Sequence, residues 1–354
     1  MNRFFLERIN SLMSLKRRSI VNRGFKNILV VSSTALGDTI LSTPAIKTLR
    51  KNYPDLFINF LISKNIYSLF EGYEMIDNIV TYERSFLGLL KTIFFLRKSK
   101  VDTIFFLHSN GPQDLFLAYF SGAEKILKAC NFPSPISLGF KRIISNLDTY
   151  HVDQHIIEHR LGLIKYFKPK RIFKELNLPE KFKISKSKKD YICIQLSAAD
   201  EYKVWPLGYF SDLMEKVSRK YQNYDVFVLG LESENFLAEE FIRKSSYPNK
   251  IKNFCGKTSL EQLSNILSKS KLLITNDTGT LHLAIALKVP TVSLFSPTNP
   301  NHFGPYQDNE IHKVVFSEVE IDNYLPKKRR SNRAMSSIAV NDVLEKVVET
   351  LSGK

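Results

Sequence analysis

The sequence predicts an α/β protein made of two parallel-sheet domains, and three observations carry that expectation. At 354 residues the chain exceeds what one ordinary core organises. Short continuous apolar runs alternate with helical patterns, as expected of strands covered by helices on both faces. The alternation halts at a Lys- and Pro-containing stretch and then starts again.

Residues 27–33 read as a buried strand and residues 38–51 as one helix, with Asp38 opening it. A strand over 56–62, a short helix near 66–70, a strand over 78–82 and a helix over 86–97 follow. Residues 101–107 form a strong strand, 113–121 a helix, 126–129 a strand and 155–167 a helix. After the linker the cycle resumes with strands at 191–195, 225–229, 272–275 and 291–295. The intervening helices fall at 207–220, 234–244, 260–267 and 280–287, and 340–351 closes the chain. This gives a basic segment at 1–26, a first Rossmann-like domain at 27–168, a linker at 169–189, a second Rossmann-like domain at 190–325, and a basic stretch with a helix at 326–354. In such sheets ligands bind beyond the carboxyl ends of the strands, so a site in a cleft between two facing sheets is expected.

The net charge of +16 is concentrated. Residues 1–26 carry +6, residues 164–189 carry +8, and Lys327, Lys328, Arg329, Arg330 and Arg333 carry +5, leaving the remainder slightly negative. Basic segments on a near-neutral body suit an anionic surface, or are simply solvated tails. Phe5, Ile9, Leu12 and Met13 recur on one helical face with Arg and Lys beside it, the pattern of a helix lying on anionic lipid or packing on its own domain. No Lys run is interleaved with aromatics on a sheet face, so nucleic acid is not the expected partner. No apolar run reaches the roughly 18 residues that span a bilayer, and no secretory leader is legible. Cys130, Cys193 and Cys255 stand singly, with neither disulfide nor metal spacing. A cytoplasmic protein, peripheral on an anionic membrane surface, is the expectation.

The chemistry concentrates in two turns. Ile274-Thr275-Asn276-Asp277-Thr278-Gly279-Thr280-Leu281-His282 runs from an apolar strand through three capping-type residues into an apolar helix. Gly279 allows close backbone approach, and a helix start directs N–H groups and partial positive charge at a ligand, typically phosphate. His282 falls in the first turn, as a helix-face histidine or as part of that seat. In the other turn Gly37 permits a tight connection, and Asp38 either caps a helix or stands at the floor of a ligand cleft. The G-x-G-x-x-G dinucleotide fingerprint is absent, and Gly256-Lys257-Thr258 lacks the partner glycine of a phosphate loop.

Residues 33–44 with Ala35-Leu36-Gly37-Asp38, Lys203-Val204-Trp205-Pro206, residues 256–260, residues 276–282 and Phe295-Ser296-Pro297-Thr298 fall in one order and spacing. Together with Gly304-Pro305-Tyr306 and Met335-Ser336-Ser337-Ile338, that pattern resembles glycosyltransferase family 9, the ADP-heptose:lipopolysaccharide heptosyltransferases. The resemblance spans about residues 27–352. It implies a GT-B fold whose first domain binds a lipid-linked glycan acceptor and whose second binds a nucleotide sugar, with ADP-heptose the expected donor. It also implies inversion at the anomeric carbon, no metal and no cofactor. Asp38 matches the family's general base and Lys203 its donor-phosphate lysine. Asp277, Thr278, Gly279 and His282 match its donor-binding turn, and Glu234 and Thr258 fall near the nucleoside positions. The alternatives are a different nucleotide sugar or a member that only binds or scaffolds. The residues agree on their own terms, because sugar transfer needs a base for the acceptor and positive charge for a departing diphosphate.

Overall fold

A computed structural model of the chain describes residues 25–83, 85–109, 111–130, 146–149, 154–182, 185, 187–319 and 326–353. It divides into two compact units, Met1–Pro179 and Glu180–Lys354. The amphipathic helix expected within 1–26 lies outside the described residues, apart from Phe25 and Lys26.

The first unit is built on β1 (Asn27–Ser32), β2 (Phe57–Ser63), β3 (Asn78–Tyr82), β4 (Thr103–His108), β5 (Lys125–Cys130) and β6 (Asn146–Thr149). They form one sheet in the order β3-β2-β1-β4-β5-β6, and every neighbouring pair is parallel. The central strands β1 and β4 are buried along almost their whole length, as their unbroken apolar runs require.

Residues 38–51 are not one helix. Two helices occupy the region, α1 (Leu36–Ile40) and α2 (Thr43–Asn52), so Asp38 does not open a helix but lies in the middle of a short one. Pro44 explains the break: it sits in the first turn of α2, where it needs no N–H, and its ring would crowd the Ile40 carbonyl in a continuous helix. The Ser42 hydroxyl bridges the gap, donating to the Asp38 carbonyl oxygen at 3.0 Å. Further along the first unit lie α3 (Phe86–Lys98), α4 (Pro112–Phe120) and α5 (Ile156–Lys165). The chain then returns over α2, where the Thr48 hydroxyl bonds Phe173 and the Thr43 hydroxyl accepts from the Asn177 amide at 3.1 Å.

The second unit repeats the plan with β7 (Tyr191–Gln195), β8 (Asp225–Leu229), β9 (Ile251–Asn253), β10 (Leu272–Asn276), β11 (Thr291–Phe295) and β12 (His312–Phe316). Its all-parallel order is β12-β11-β10-β7-β8-β9. The helices are α6 (Leu207–Lys220), α7 (Asn235–Lys244), α8 (Leu260–Lys269), α9 (Gly279–Ala286) and α10 (Val340–Ser352). Phe210, Leu213, Met214 and Val217 of α6 share a core with Val343 and Val347 of α10, so the closing helix completes this unit. Trp205 is fully buried in the same core, and its indole N–H donates to the Ile338 carbonyl at 3.0 Å. The strands absent from the sequence reading, β6, β9 and β12, each lie at a sheet edge, where shortness and polar content weaken the apolar signal.

His312 pairs directly across from Thr291 on the β11–β12 edge, with its Nδ1 3.0 Å from the threonine hydroxyl. Burial pushes this imidazole down to about 4, against the opposing pull of Asp308 and Glu310. Between about pH 6.5 and pH 4 the unfolded chain therefore binds a proton that the folded one rejects, so stability falls as pH falls through that window. Urea unfolding at pH 7 and pH 4.5 is expected to show a loss on the order of 2–3 kcal/mol from this residue, absent in His312→Gln. Equal pH slopes in the two proteins would show that His312 is not the group responsible.

Candidate functional site

In a parallel sheet wound both ways from one strand, the two connections leaving at the reversal point move apart and leave a crevice at the carboxyl edge. In the first unit that point lies between β1 and β4, and in the second between β7 and β10. Both sequence-selected turns fall at these points.

In the first unit β1 ends at Ser32 opposite His108, the last residue of β4. The following turn delivers Gly37 and Asp38 within α1, with Gly37 buried and Asp38 partly exposed. Asp38 is held from several directions. Its Oδ1 lies 3.1 Å from Arg160 Nη2 and 3.4 Å from His108 Nε2. Arg160 Nη1 donates to the Asp38 carbonyl at 2.5 Å and to Ser42 Oγ at 3.1 Å. Thr34 Oγ1 sits 2.5 Å from His108 Nδ1 and 3.5 Å from Asp38 Oδ2. His108 thus lies between Thr34 and Asp38, with Nδ1 toward the hydroxyl and Nε2 toward the carboxylate. Arg160, in α5, has a side chain only 1% exposed. Burial pulls its guanidinium below the usual range, and Asp38 opposes that pull. Beside this cluster a recess of about 610 Å³ is lined by Ser33, Thr34, Ala35, Ser63, Lys64 and Glu83.

In the second unit β10 ends at Asn276, and Thr278 caps α9 through its hydroxyl, which accepts from the Leu281 amide at 3.4 Å. The three polar residues of the turn thus divide their work. Asn276, fully buried, accepts from the Trp205 amide at 3.1 Å and donates to the Leu196 and Ser197 carbonyls, tying the segment after β7 to the end of β10. Asp277 pairs with Lys203 at 2.8 Å. Gly279 and Thr280 begin α9, and His282 lies buried in its first turn. Lys203, Asp277, Thr278, Gly279 and His282 are therefore brought together at the switch point, where the helix N-terminus adds its partial positive charge.

Asp200 and Glu201 lie beside this cluster, and the basic stretch answers Asp200. Lys327 lies 2.9 Å from its carboxylate, and the Arg330 guanidinium sits 5.3 Å from the Tyr202 ring centre. Partial burial pushes the Asp200 carboxyl up, but bonds from Lys327 and Tyr202, with the nearby Lys203 charge, leave it below its ordinary value.

Glu234 and Thr258 stand farther along the carboxyl edge, beyond β8 and β9. The Glu234 carboxylate accepts from the Leu231 amide at 2.7 Å, and Thr258 precedes Ser259, the cap of α8. Their two loops are joined by the Gly256 amide donating to the Gly230 carbonyl at 3.0 Å. Gly256 has φ +70°, and a Cβ there would lie 2.6 Å from the Glu232 Cβ, so a glycine is required. Among the described residues no three His, Cys, Asp or Glu side chains group so as to hold a metal ion.

The sequence model described as glycosyltransferase family 9 (heptosyltransferase) matches residues 162–332. A lipooligosaccharide heptosyltransferase 2 of Campylobacter jejuni is 26% identical over 311 residues, 82% of this chain and 87% of that protein. Over residues 162–332 the chain is similar to glycosyltransferase family 9. Lipopolysaccharide heptosyltransferase 1 of Campylobacter coli is 24% identical over 344 residues, 91% of this chain and 98% of that one. Among solved structures, a family 9 glycosyltransferase from Veillonella parvula superposes with a TM-score of 0.78 at 22% identity, covering 95% of this chain and 100% of that chain. The E. coli ADP-heptose lps heptosyltransferase II gives 0.71 at 19% identity, covering 92% and 98%. The fold is therefore GT-B, two parallel-sheet α/β units.

His108 and Arg160 escaped the sequence reading. Each left a faint signal: a histidine closing an otherwise apolar strand, and an arginine within the apolar helix Ile156-Ile157-Glu158-His159-Arg160-Leu161. Arg160→Met leaves Asp38 without its buried counter-charge and is expected to cost about 3 kcal/mol in urea unfolding. Asp38→Asn in the Arg160→Met background recovers part of that loss. A double-mutant cycle with no coupling would show that the pair contributes nothing.

Proposed function

We propose that this glycosyltransferase moves heptose from ADP-heptose onto a lipopolysaccharide core acceptor, inverting the anomeric carbon without a metal. The curated relatives named as lipopolysaccharide and lipooligosaccharide heptosyltransferases support the donor and acceptor classes. The observation that carries the mechanism is the division of chemistry between two switch points. A carboxylate fixed by Arg160 and His108 stands at one, and a lysine beside a helix N-terminus at the other.

The first unit takes the acceptor and the second the nucleotide sugar. Asp38 accepts the proton of the acceptor hydroxyl while its oxygen attacks the anomeric carbon. The bond from that carbon to the diphosphate oxygen breaks, and ADP leaves with the electron pair. Lys203 and the α9 N-terminus offset the charge developing on the diphosphate. Asp277 holds Lys203 at 2.8 Å and so aims it before the donor arrives. Glu234 and Thr258 lie on the nucleoside side. The protein works at an anionic membrane surface on the cytoplasmic face of the inner membrane, aided by residues 1–26.

A donor screen with ADP-, GDP- and UDP-sugars on purified core acceptor, read by mass spectrometry with and without EDTA, tests the reading. Transfer from ADP-heptose that survives EDTA, giving a product of opposite anomeric configuration by NMR, is the expected result. Asp38→Asn is expected to lower kcat about 10²- to 10⁴-fold, and Lys203→Met about 10²-fold. Full activity in Asp38→Asn would remove Asp38 as the base. Transfer only from another nucleotide sugar would replace ADP-heptose as the donor.

A further inference from the structure

The helix α3 has two unlike faces. Leu89, Thr92 and Leu96, at i, i+3 and i+7, are buried in the first unit's core. Phe86, Leu90 and Phe94, at i, i+4 and i+8, point the other way with Leu87 beside them. Their exposures are 74%, 46%, 70% and 68%. Single exposed apolar residues are ordinary, but four large ones on one helical face are not. On the neighbouring α4, Phe120 is 45% exposed, with its ring stacked 6.3 Å from that of Phe116.

The charges on this helix have one sign. The helix contains Lys91, Arg97 and Lys98, all exposed, and no acid. The aliphatic stem of Arg97 runs beside Gly122, two residues past Phe120. The acids flanking the helix in sequence are Glu83, which pairs with Lys64 at 3.4 Å, and Asp102, which accepts from the Lys26 and Asn27 amides. Exposed aromatics and leucines bordered by lysine and arginine match the layering of a bilayer interface, with acyl chains beneath anionic headgroups.

Its position fits the same occupant. A helix following a parallel strand begins at that strand's carboxyl end, so Phe86 and Leu87 start from the edge where Glu83 lines the recess beside Asp38's turn. The apolar face and the acceptor side of the site thus share one edge of one unit.

We infer that the Phe86–Leu87–Leu90–Phe94 face of α3, with Lys91, Arg97 and Lys98, docks the protein on an anionic lipid bilayer. The choice of a bilayer over a protein partner rests on the lipid-linked acceptor proposed above. The face is distinct from residues 1–26.

The full chain tests this with vesicles of phosphatidylcholine alone or mixed with phosphatidylglycerol. The protein has one Trp, the buried Trp205, so Phe94→Trp adds a reporter over a constant background. Its emission is expected to shift to the blue, and to be quenched by brominated acyl chains, only on the anionic vesicles. Phe86→Ser with Phe94→Ser should reduce vesicle co-sedimentation about tenfold, and Lys91→Glu with Lys98→Glu should do the same at low salt. Unchanged circular dichroism and melting show that these exposed changes leave the fold intact. Sugar transfer to a water-soluble, delipidated acceptor, measured in parallel, should be unchanged. Failure of transfer in the native protein counts against the functional reading and leaves the docking result to be judged alone. Native-like sedimentation of Phe86→Ser/Phe94→Ser overturns the inference. So does a Phe94→Trp emission that ignores vesicles, whether the face is covered by the chain's own segment or by a second copy seen in light scattering.

Discussion

Everything chemical in this molecule depends on one constraint of parallel sheets, that all strands point the same way. The carboxyl ends of β1 and β4 therefore share an edge, as do those of β7 and β10. Because each sheet grows outward from β1 or β7 in both directions, the loops leaving each central pair diverge rather than pack together. A fold of this kind opens a crevice at a fixed place before any functional residue is chosen. What the sequence must add is polar groups that can survive there.

That survival is a problem of satisfaction, and the two units solve it differently. In the second unit a neutral amide does the work: Asn276 is fully buried and places one acceptor and two donors on the backbone of Leu196, Ser197 and Trp205. With those bonds made, its burial costs little, and the loop carrying Lys203 is fixed. In the first unit a charge is buried instead. Arg160 is almost wholly enclosed and is tolerable only because a carboxylate, a carbonyl and a hydroxyl surround it. The first arrangement is rigid and neutral, suited to holding a loop for a charged guest. The second is an ion pair, so Asp38 is coupled to its surroundings through charge as well as geometry.

The strands were legible because burial on both faces leaves an unbroken apolar run, as in Tyr191-Ile192-Cys193-Ile194-Gln195. The edge strand Ile251-Lys252-Asn253 obeys no such rule, since half its surroundings are water, and it was missed. The turn at 276–282 was legible because capping chemistry is local, although Thr278 alone caps, while Asn276 and Asp277 serve distant partners. Asp38 was legible as a carboxylate in a tight turn, yet its helix was drawn through Pro44, whose ring ends a helix four residues upstream. His108 and Arg160 lie 70 and 122 residues from Asp38. No local pattern connects them, because only the winding of the sheet and the return of α5 bring them to it.

The charge distribution acquires a different meaning once the partners are placed. A surplus of +16 first suggests a single role, but the cations serve several. Lys327 answers Asp200, and Arg330 covers Tyr202, so part of the C-terminal basic run belongs to the loop that carries Lys203. Arg160 is interior, and Lys203 is paired. Lys91, Arg97 and Lys98 have no acid on their own helix and border exposed aromatics. Charge next to hydrogen-bonding acids rigidifies a loop, whereas charge next to exposed apolar surface favours an amphipathic, anionic neighbour. Net charge alone cannot separate these uses. The side chain adjoining each cation does, and by that criterion α3, rather than the basic run at 327–330, is the part of the described surface built for lipid.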